Sequence, residues 1–141
     1  MAELEDDIYD QITDLSAVGE DHFENGDFKT AITYYQKALE LVPLPKTNWE
    51  ASTWLYTAIG DCYFSLSDFE KASDAFYDAL NCPDGMGNPF IHLRLGECLF
   101  EGGEFQKAED NLMRAYMLEG IEIFEDEDDK YIRFLKKKYT L

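Results

Sequence analysis

The chain has 141 residues, the usual size of one domain, and its 45% hydrophobic and 15% aromatic content suffices to bury a core and argues against disorder. Thirty acidic side chains against 12 basic ones give a formal net charge of −18, which repels nucleic acid phosphates and anionic membrane surfaces and attracts a cationic protein. Solubility is the other use of such acidity.

Met1 to Asp10 is acidic and lacks the cationic and apolar stretches of a secretory signal, so none is expected. No apolar run approaches bilayer length. Cys62, Cys82 and Cys98 are odd in number and form no CxxC pair, which points to neither a disulfide framework nor a zinc site. A cytoplasmic, reducing location is expected.

Apolar residues recur at spacings of three and four throughout, and no stretch alternates with period two. The pattern predicts seven helices, near 5–24, 28–42, 48–65, 69–81, 89–101, 105–118 and 127–138, and no sheet. The first carries Leu15-x-x-Val18-Gly19-x-x-His22-Phe23, and Gly26-Asp27 ends it. The second carries Phe28-x-x-Ala31 and Tyr35-x-x-Ala38-Leu39, with Pro43 beyond. Thr47 and Glu50 have capping-box spacing, so a longer third helix is expected to start near Thr47 and to include Trp49. That helix carries Tyr56-x-x-Ile59-Gly60-x-x-Tyr63-Phe64, and the fourth carries Phe69-x-x-Ala72 and Phe76-x-x-Ala79-Leu80. Asp27 and Asp68 suit N-caps, and Ser67 with Glu70 again has capping-box spacing. A turn-rich loop, Asn81 to Gly87, leads to Asn88-Pro89, an N-cap followed by proline at the first helical position. The fifth helix carries His92-x-x-Leu95-Gly96-x-x-Leu99-Phe100, and the sixth Phe105-x-x-Ala108 and Leu112-x-x-Ala115-Tyr116. The acidic run Glu125–Asp129 precedes Tyr131-Ile132-x-Phe134-Leu135 and Lys136, Lys137 and Lys138, a charge order that suits both ends of a final helix.

The same eight spaced positions recur three times, and this resembles the tetratricopeptide-repeat (TPR) consensus, a helix–turn–helix unit of 34 residues. The resemblance implies an all-α fold: one domain over 1–141, with repeats near 12–45, 53–86 and 89–120 and a capping helix near 127–138. These form a short right-handed superhelix. The spacing departs from the consensus, with 41 residues from Gly19 to Gly60 and 36 from Gly60 to Gly96. A mid-helix glycine costs about 1 kcal/mol against alanine and is tolerable where two helices approach closely. Ala31, Ala72 and Ala108 are expected to face Gly19, Gly60 and Gly96. The final helix is expected to cover the last apolar face, with a basic tail engaging a partner as the other reading of its lysines. Cys62 and Cys98 occupy one repeat position and read as small buried packing residues.

No nucleophile–base constellation stands out. The two histidines lie in different repeats, no HExxH, GxSxG or phosphate loop is present, and the acidic run lacks EF-hand spacing. No catalytic, metal or cofactor residue is named, and the chain is expected to bind protein rather than catalyse.

By the resemblance, the first helix of each repeat lines a concave groove. Its groove positions fall on Thr13, Ser16, Glu20, Phe23 and Glu24, then on Trp54, Thr57, Asp61, Phe64 and Ser65, then on Phe90, Leu93, Glu97, Phe100 and Glu101. Glu20, Asp61 and Glu97 make an acidic column, and Phe23, Phe64 and Phe100 an aromatic one. The phenylalanines read either as ligand anchors or as repeat-stacking core. The carboxylates are expected to face the groove, because buried like charges are costly. TPR proteins that bind chaperone tails hold a terminal carboxylate with Lys, Arg and Asn at these positions. Here only Arg94 is a nearby cation, so the complementary ligand is a basic surface or peptide with apolar anchors.

The segment Asp84-Gly85-Met86-Gly87-Asn88-Pro89-Phe90-Ile91-His92-Leu93-Arg94-Leu95-Gly96-Glu97-Cys98 is similar to bacterial TPR proteins found beside polymorphic toxins of the Rhs and contact-dependent type. So is the ending, with Ala115-Tyr116-Met117-Leu118-Glu119-Gly120, Ile123-Phe124, Lys130-Tyr131 and Phe134-Leu135-Lys136. That resemblance implies an immunity protein that binds and neutralises a cognate toxin, often a cationic nuclease. Pro89-Phe90 and Glu97-Cys98-Leu99 also look like chaperones of type III secretion translocators, although those carry an N-terminal amphipathic dimerisation helix and Glu3 to Asp10 has few apolar residues. A self-assembling scaffold is the third reading.

Overall fold

The computed structural model describes residues 4–141, so the first three residues of the acidic N-terminal run lie outside the described residues. Among the described residues seven α-helices follow one another: α1 Asp6–Glu24, α2 Phe28–Glu40, α3 Glu50–Ser65, α4 Phe69–Leu80, α5 Pro89–Glu101, α6 Phe105–Glu119 and α7 Asp129–Lys136. Short 3₁₀ turns occupy Lys46–Asn48 and Ile121–Phe124, and no strand occurs among the described residues. The helices pack in sequence as α1 on α2, α3 on α4 and α5 on α6, with α2–α3 and α4–α5 contacts joining the pairs.

Local chemistry sets the helix starts. Asp27 accepts from the Thr30 amide at 3.3 Å, Asp68 from the Lys71 amide at 3.2 Å, and Asn88 from Phe90 and Ile91 at 2.9 and 3.3 Å. Each satisfies amide donors that the first helical turn leaves unpaired. The turns within the three pairs share one conformation: Gly26, Ser67 and Gly103 have φ of 79°, 61° and 80°. Glycine meets that left-handed geometry at no steric cost, whereas Ser67 adopts it against preference. Asp68, not Ser67, therefore caps α4, and the capping box expected of Ser67 and Glu70 does not form.

The third helix also starts later than the sequence suggests. Thr47 lies in the 3₁₀ turn, and Trp49 is extended, with φ −121° and ψ 134°, as a cap without a side-chain hydrogen bond. Lys46 Nζ donates to the carbonyls of Leu39 at 2.7 Å and Val42 at 3.0 Å, which ties this linker to the C-terminal end of α2. Those carbonyls lie at the C-terminal end of α2, where the lysine charge suits the negative end of the dipole. Trp49 then packs against the core of the first repeat instead of riding on the helix.

The glycine pockets differ from expectation in their occupant. Ala31, Ala72 and Ala108 are fully buried, but the side chains over the glycines lie four residues further on. A Cβ at Gly19 would stand 2.9 Å from Tyr35 Cε1, one at Gly60 2.8 Å from Phe76 Cε1, and one at Gly96 2.7 Å from Leu112 Cγ. The missing methyl makes room for a large side chain that a closer helix approach would otherwise exclude.

The core runs through the repeats as three clusters. Ile12, Ile32, Tyr35, Val42, Leu55 and Ile59 fill the first, and Phe76, Ile91, Leu95 and Leu99 the second. In the third, Phe124, Tyr131, Ile132 and Leu135 of the C-terminal segment close over Leu93, Leu112 and Ala115. The final segment is thus the expected cap. It is shorter than 127–138, with Asp129 in its first turn and Arg133 and Lys136 in its last.

A candidate partner-binding groove

The acidic column does not form an open ladder. Glu20 and Glu24 are exposed on α1, Asp61 is largely buried on α3, and Glu97 on α5 is 0% exposed. The expectation that Glu97 faces a ligand is therefore corrected. Its burial is tolerated because Arg94, one turn earlier, donates from Nη1 to Glu97 Oε1 at 2.8 Å. The same guanidinium donates from Nε to Asp61 Oδ1 at 3.1 Å and from Nη1 to Glu127. Its Cζ also lies 4.6 Å from the centroid of the Phe64 ring and 5.0 Å from that of Phe90. One cation, placed between two aromatic rings, thus serves three carboxylates from α3, α5 and the loop before α7.

Three acids share one base, and burial together with neighbouring negative charge raises the carboxyl groups among them. Burial, and then the Glu127 carboxylate beside it, push Glu97 up to about 9, against the opposing effect of Arg94. Glu97 accordingly carries its proton at neutral pH, and that proton is available to Glu127. Burial also raises Asp61, partly offset by Arg94. Burial works against the charge of Arg94, but Glu97, Asp61 and Glu127 outweigh it and push its pKa upward.

The C-terminal segment takes up Leu93, Phe100 and Glu101 of the third repeat's groove positions. Leu93 is buried under Phe124, Tyr131 and Leu135. Tyr131 donates its hydroxyl to Glu101 Oε1 at 2.9 Å, and Lys130 pairs with the same carboxylate. Phe100 meets Tyr131 edge to face at 5.4 Å and Phe134 at 5.1 Å. The aromatic column also packs within the repeats. Phe23, Phe64 and Phe100 each meet the phenylalanine five residues on, Phe28, Phe69 and Phe105, at 5.2, 5.7 and 5.4 Å. These contacts staple each helix pair across its turn.

An open surface remains between α3 and α5. Trp54, 40% exposed, Thr57 and Asp61 on α3, Pro83 and Asp84 on the connecting loop, and Phe90 on α5 line a pocket of about 410 Å³, with Glu50 also on its wall. The Thr53 hydroxyl donates to the Pro83 carbonyl at 2.7 Å and fixes that loop against α3. Thr57 donates to the Thr53 carbonyl at 2.7 Å. The structure thus brings Trp54, Thr57, Asp61 and Phe90 together, leaves Glu20, Phe23 and Glu24 apart on α1, and assigns Leu93, Glu97, Phe100 and Glu101 to contacts within the chain. Thr13 and Ser65 are exposed and Ser16 is half-buried.

Glu50, Asp84 and Glu127 were not among the residues that the repeat pattern singles out. Glu127 reads in sequence only as one of five acidic residues before a helix.

The other reactive side chains have structural surroundings. Burial raises the Cys62 and Cys98 thiols to about 12, far from a thiolate at neutral pH. His92 is buried with its ring nitrogens 3.0 Å from Asn111 Oδ1 and 2.8 Å from the Met86 carbonyl, which joins α5, α6 and the 81–88 loop. His22 stacks on Tyr34 at 5.5 Å between ring centroids. Among the described residues no cluster of three His, Cys, Asp or Glu has metal-binding geometry, and no helix is long and apolar enough to cross a membrane.

Stacked helix pairs with an acidic, aromatic-walled surface on their first helices define a helical-repeat module for protein interaction. The tetratricopeptide-repeat profile matches residues 12–83, just over half of the chain, and the protein belongs to that family. Such domains are in general non-catalytic interaction modules. No curated protein matches the chain. Among solved structures, the Yersinia enterocolitica type III secretion chaperone SycD, in complex with a peptide of the translocator YopD, is 17% identical with a TM-score of 0.72, over 91% of this chain and 92% of that one. The second TPR domain of human RPAP3, in complex with the HSP70 peptide SGPTIEEVD, is 16% identical with a TM-score of 0.72, over 92% and 96%. The Arabidopsis OM64 TPR domain is 16% identical with a TM-score of 0.73, over 92% and 95%. At these identities the likeness is one of fold.

Proposed function

We propose that the chain is an immunity protein that docks a cationic toxin domain on the α3–α5 face and blocks its active surface. The observation that carries this reading is the pocket at that face. Trp54 and Phe90 offer apolar contact there, Glu50, Asp61 and Asp84 stand on its walls, and none of its lining residues is a cation. The net charge of −18 extends the same complementarity over the whole surface. A field of that sign raises the encounter rate with a basic partner, while buried aromatic contact supplies the affinity. The acidic α1 residues Glu20 and Glu24 would extend the footprint towards the N-terminal repeat. Inhibition then needs no chemistry, only occlusion.

The test is coexpression with the protein encoded beside it. A stable one-to-one complex that suppresses that protein's toxicity supports immunity. A complex that keeps a secreted translocator soluble, with no toxicity to suppress, would replace it by the chaperone reading. Self-association without any foreign partner would replace both by a scaffold.

A further inference from the structure

We propose that the α3–α5 pocket is an arginine socket, receiving one guanidinium side chain of the partner between Trp54 and Phe90 with its charge against Asp61. The proposal rests on the reading that a cationic protein docks on this face and specifies the side chain that anchors it. Three observations converge on it.

The first is composition. Of the residues lining the pocket, Glu50, Asp61 and Asp84 are acidic and Trp54 and Phe90 are aromatic; Arg94 pairs with Asp61 from outside the lining, and no lining residue is a cation that could pair with Glu50 or Asp84. Flat aromatic walls with carboxylates at the margin suit a planar guanidinium, which stacks and donates in its plane, better than a strongly hydrated ammonium. The second is a precedent within the fold. Arg94 occupies such a setting, 4.6 Å from Phe64 and 5.0 Å from Phe90, bonded to Asp61, Glu97 and Glu127. Phe90 and Asp61 belong to both places, so the pocket adjoins the internal site and repeats its chemistry without its cation. The third is residual charge. Arg94 engages only Oδ1 of Asp61, and with Glu97 protonated it still faces the Asp61 and Glu127 carboxylates alone. Burial raises Asp61, and a second cation beside it would stabilise the charged form.

The experiment titrates the full chain with N-acetyl-arginine amide and follows the indole N–H signals of Trp49 and Trp54 by NMR, assigned with Trp49→Phe. The expected result is saturable movement of the Trp54 signal, with binding on the order of millimolar for so small a probe. N-acetyl-citrulline amide, the same shape without charge, should bind at least about tenfold more weakly. Trp54→Ala should weaken the arginine probe about fivefold, read from backbone amides around Phe90. Glu50→Gln with Asp84→Asn tests the charge at positions outside the Arg94 cluster and should weaken it as well. An unmoved Trp54 signal, or equal binding of citrulline, overturns the socket. If a basic partner binds in a salt-sensitive manner but is indifferent to Trp54→Ala, the socket is wrong and the acidic-face reading stands. If the arginine probe saturates the pocket but no basic protein binds the chain, the socket stands and the immunity reading falls.

Discussion

Arg94 Nε donates to Asp61 Oδ1 at 3.1 Å, a bond that spans 33 residues and joins the first helix of the second repeat to the first helix of the third. The same guanidinium reaches 33 residues in the other direction to Glu127, before the capping helix. A single side chain therefore crosslinks three successive units of a solenoid whose stability otherwise comes from neighbour-to-neighbour packing.

Removing that side chain leaves the Asp61 and Glu127 carboxylates, beside the protonated Glu97, without their cation in a largely buried place. Arg94→Met is expected to cost about 3–5 kcal/mol, the usual cost of breaking a buried ion pair from one side. Arg94→Lys should recover only part, because an ammonium cannot present the guanidinium's in-plane donors. The double change Arg94→Met with Glu97→Met should be milder than Arg94→Met alone, since it removes a carboxylate together with its partner. Urea unfolding followed by circular dichroism measures all three. A loss below about 1 kcal/mol for Arg94→Met, the range of an exposed ion pair, would show that the cluster is not built as described.

Glu97 gives the fold a pH dependence of definite sign. Its folded pKa of about 9 lies above the ordinary carboxyl value of 4.5, so the folded chain holds a proton that the unfolded chain releases. Its contribution is fully present below about pH 4.5 and is lost progressively as pH rises towards 9, with a slope of at most about 1.4 kcal/mol per pH unit. Arg94 and Glu127 are the charged groups that act on it, and Lys130 of α7 lies within its field. Glu97→Gln keeps the shape, accepts from Arg94 and donates permanently to Glu127. It should therefore gain stability relative to the parent as pH rises from 5 to 9, and the two should converge at the acid end. Subtracting the two pH profiles cancels the other carboxylates. A flat difference would mean that Glu97 is ionised in the fold.

The repeat glycines make a steric prediction. Alanine at Gly96 gains about 1 kcal/mol of helix propensity. Its Cβ, however, would lie 2.7 Å from Leu112 Cγ, 2.8 Å from Cδ2 and 3.0 Å from the Leu112 backbone nitrogen. A side chain turns aside more readily than a backbone, so overpacking of about 1–3 kcal/mol should outweigh the gain. Gly96→Ala should melt several degrees below the parent, and Gly60→Ala, pressed against the Phe76 ring, should do likewise. Melting temperatures at or above the parent's would mean that the pairs pack less closely.

Much of this architecture is legible in the residues. The helix ends follow from Asp27, Asp68 and Asn88 as caps, and the pairing follows from a pattern repeated three times. Helical spacing puts Trp49 on α3, but Lys46, an ordinary surface residue in sequence, folds the linker onto the end of α2 and leaves Trp49 before the helix. The repeat pattern sets each glycine opposite an alanine, whereas close packing sets small against large, here Tyr35, Phe76 and Leu112. The groove was the least legible part. Helical spacing places Glu97 on a face but does not reveal that residues 121–135 fold over that face and bring Glu127 to Arg94. Contacts between segments 30 or more residues apart decided which groove positions remained free.

The positions that remain free make the last prediction. Glu50 and Asp84 stand at the pocket, outside the Arg94 cluster, and are exposed. Reversing both to lysine should lower the melting temperature somewhat, because Glu50 lies in the first turn of α3, where a cation opposes the dipole, and Asp84 has a φ of 61°, which aspartate tolerates better than lysine, but the fold should persist. It should slow association with a cationic partner by about tenfold or more, within the range of electrostatic steering. Raising ionic strength shortens the screening length from about 10 Å at 0.1 M to about 3 Å at 1 M, so salt should slow the parent more than the reversed variant. Trp54→Ala should act on the other rate: it removes desolvated contact, so dissociation should quicken while association changes little. Surface plasmon resonance at several salt concentrations separates the two rates. If the reversed variant associates as fast as the parent at low salt, the α3–α5 face is not where the partner arrives, and the exposed acids of α1, Glu20 and Glu24, become the surface to reverse next.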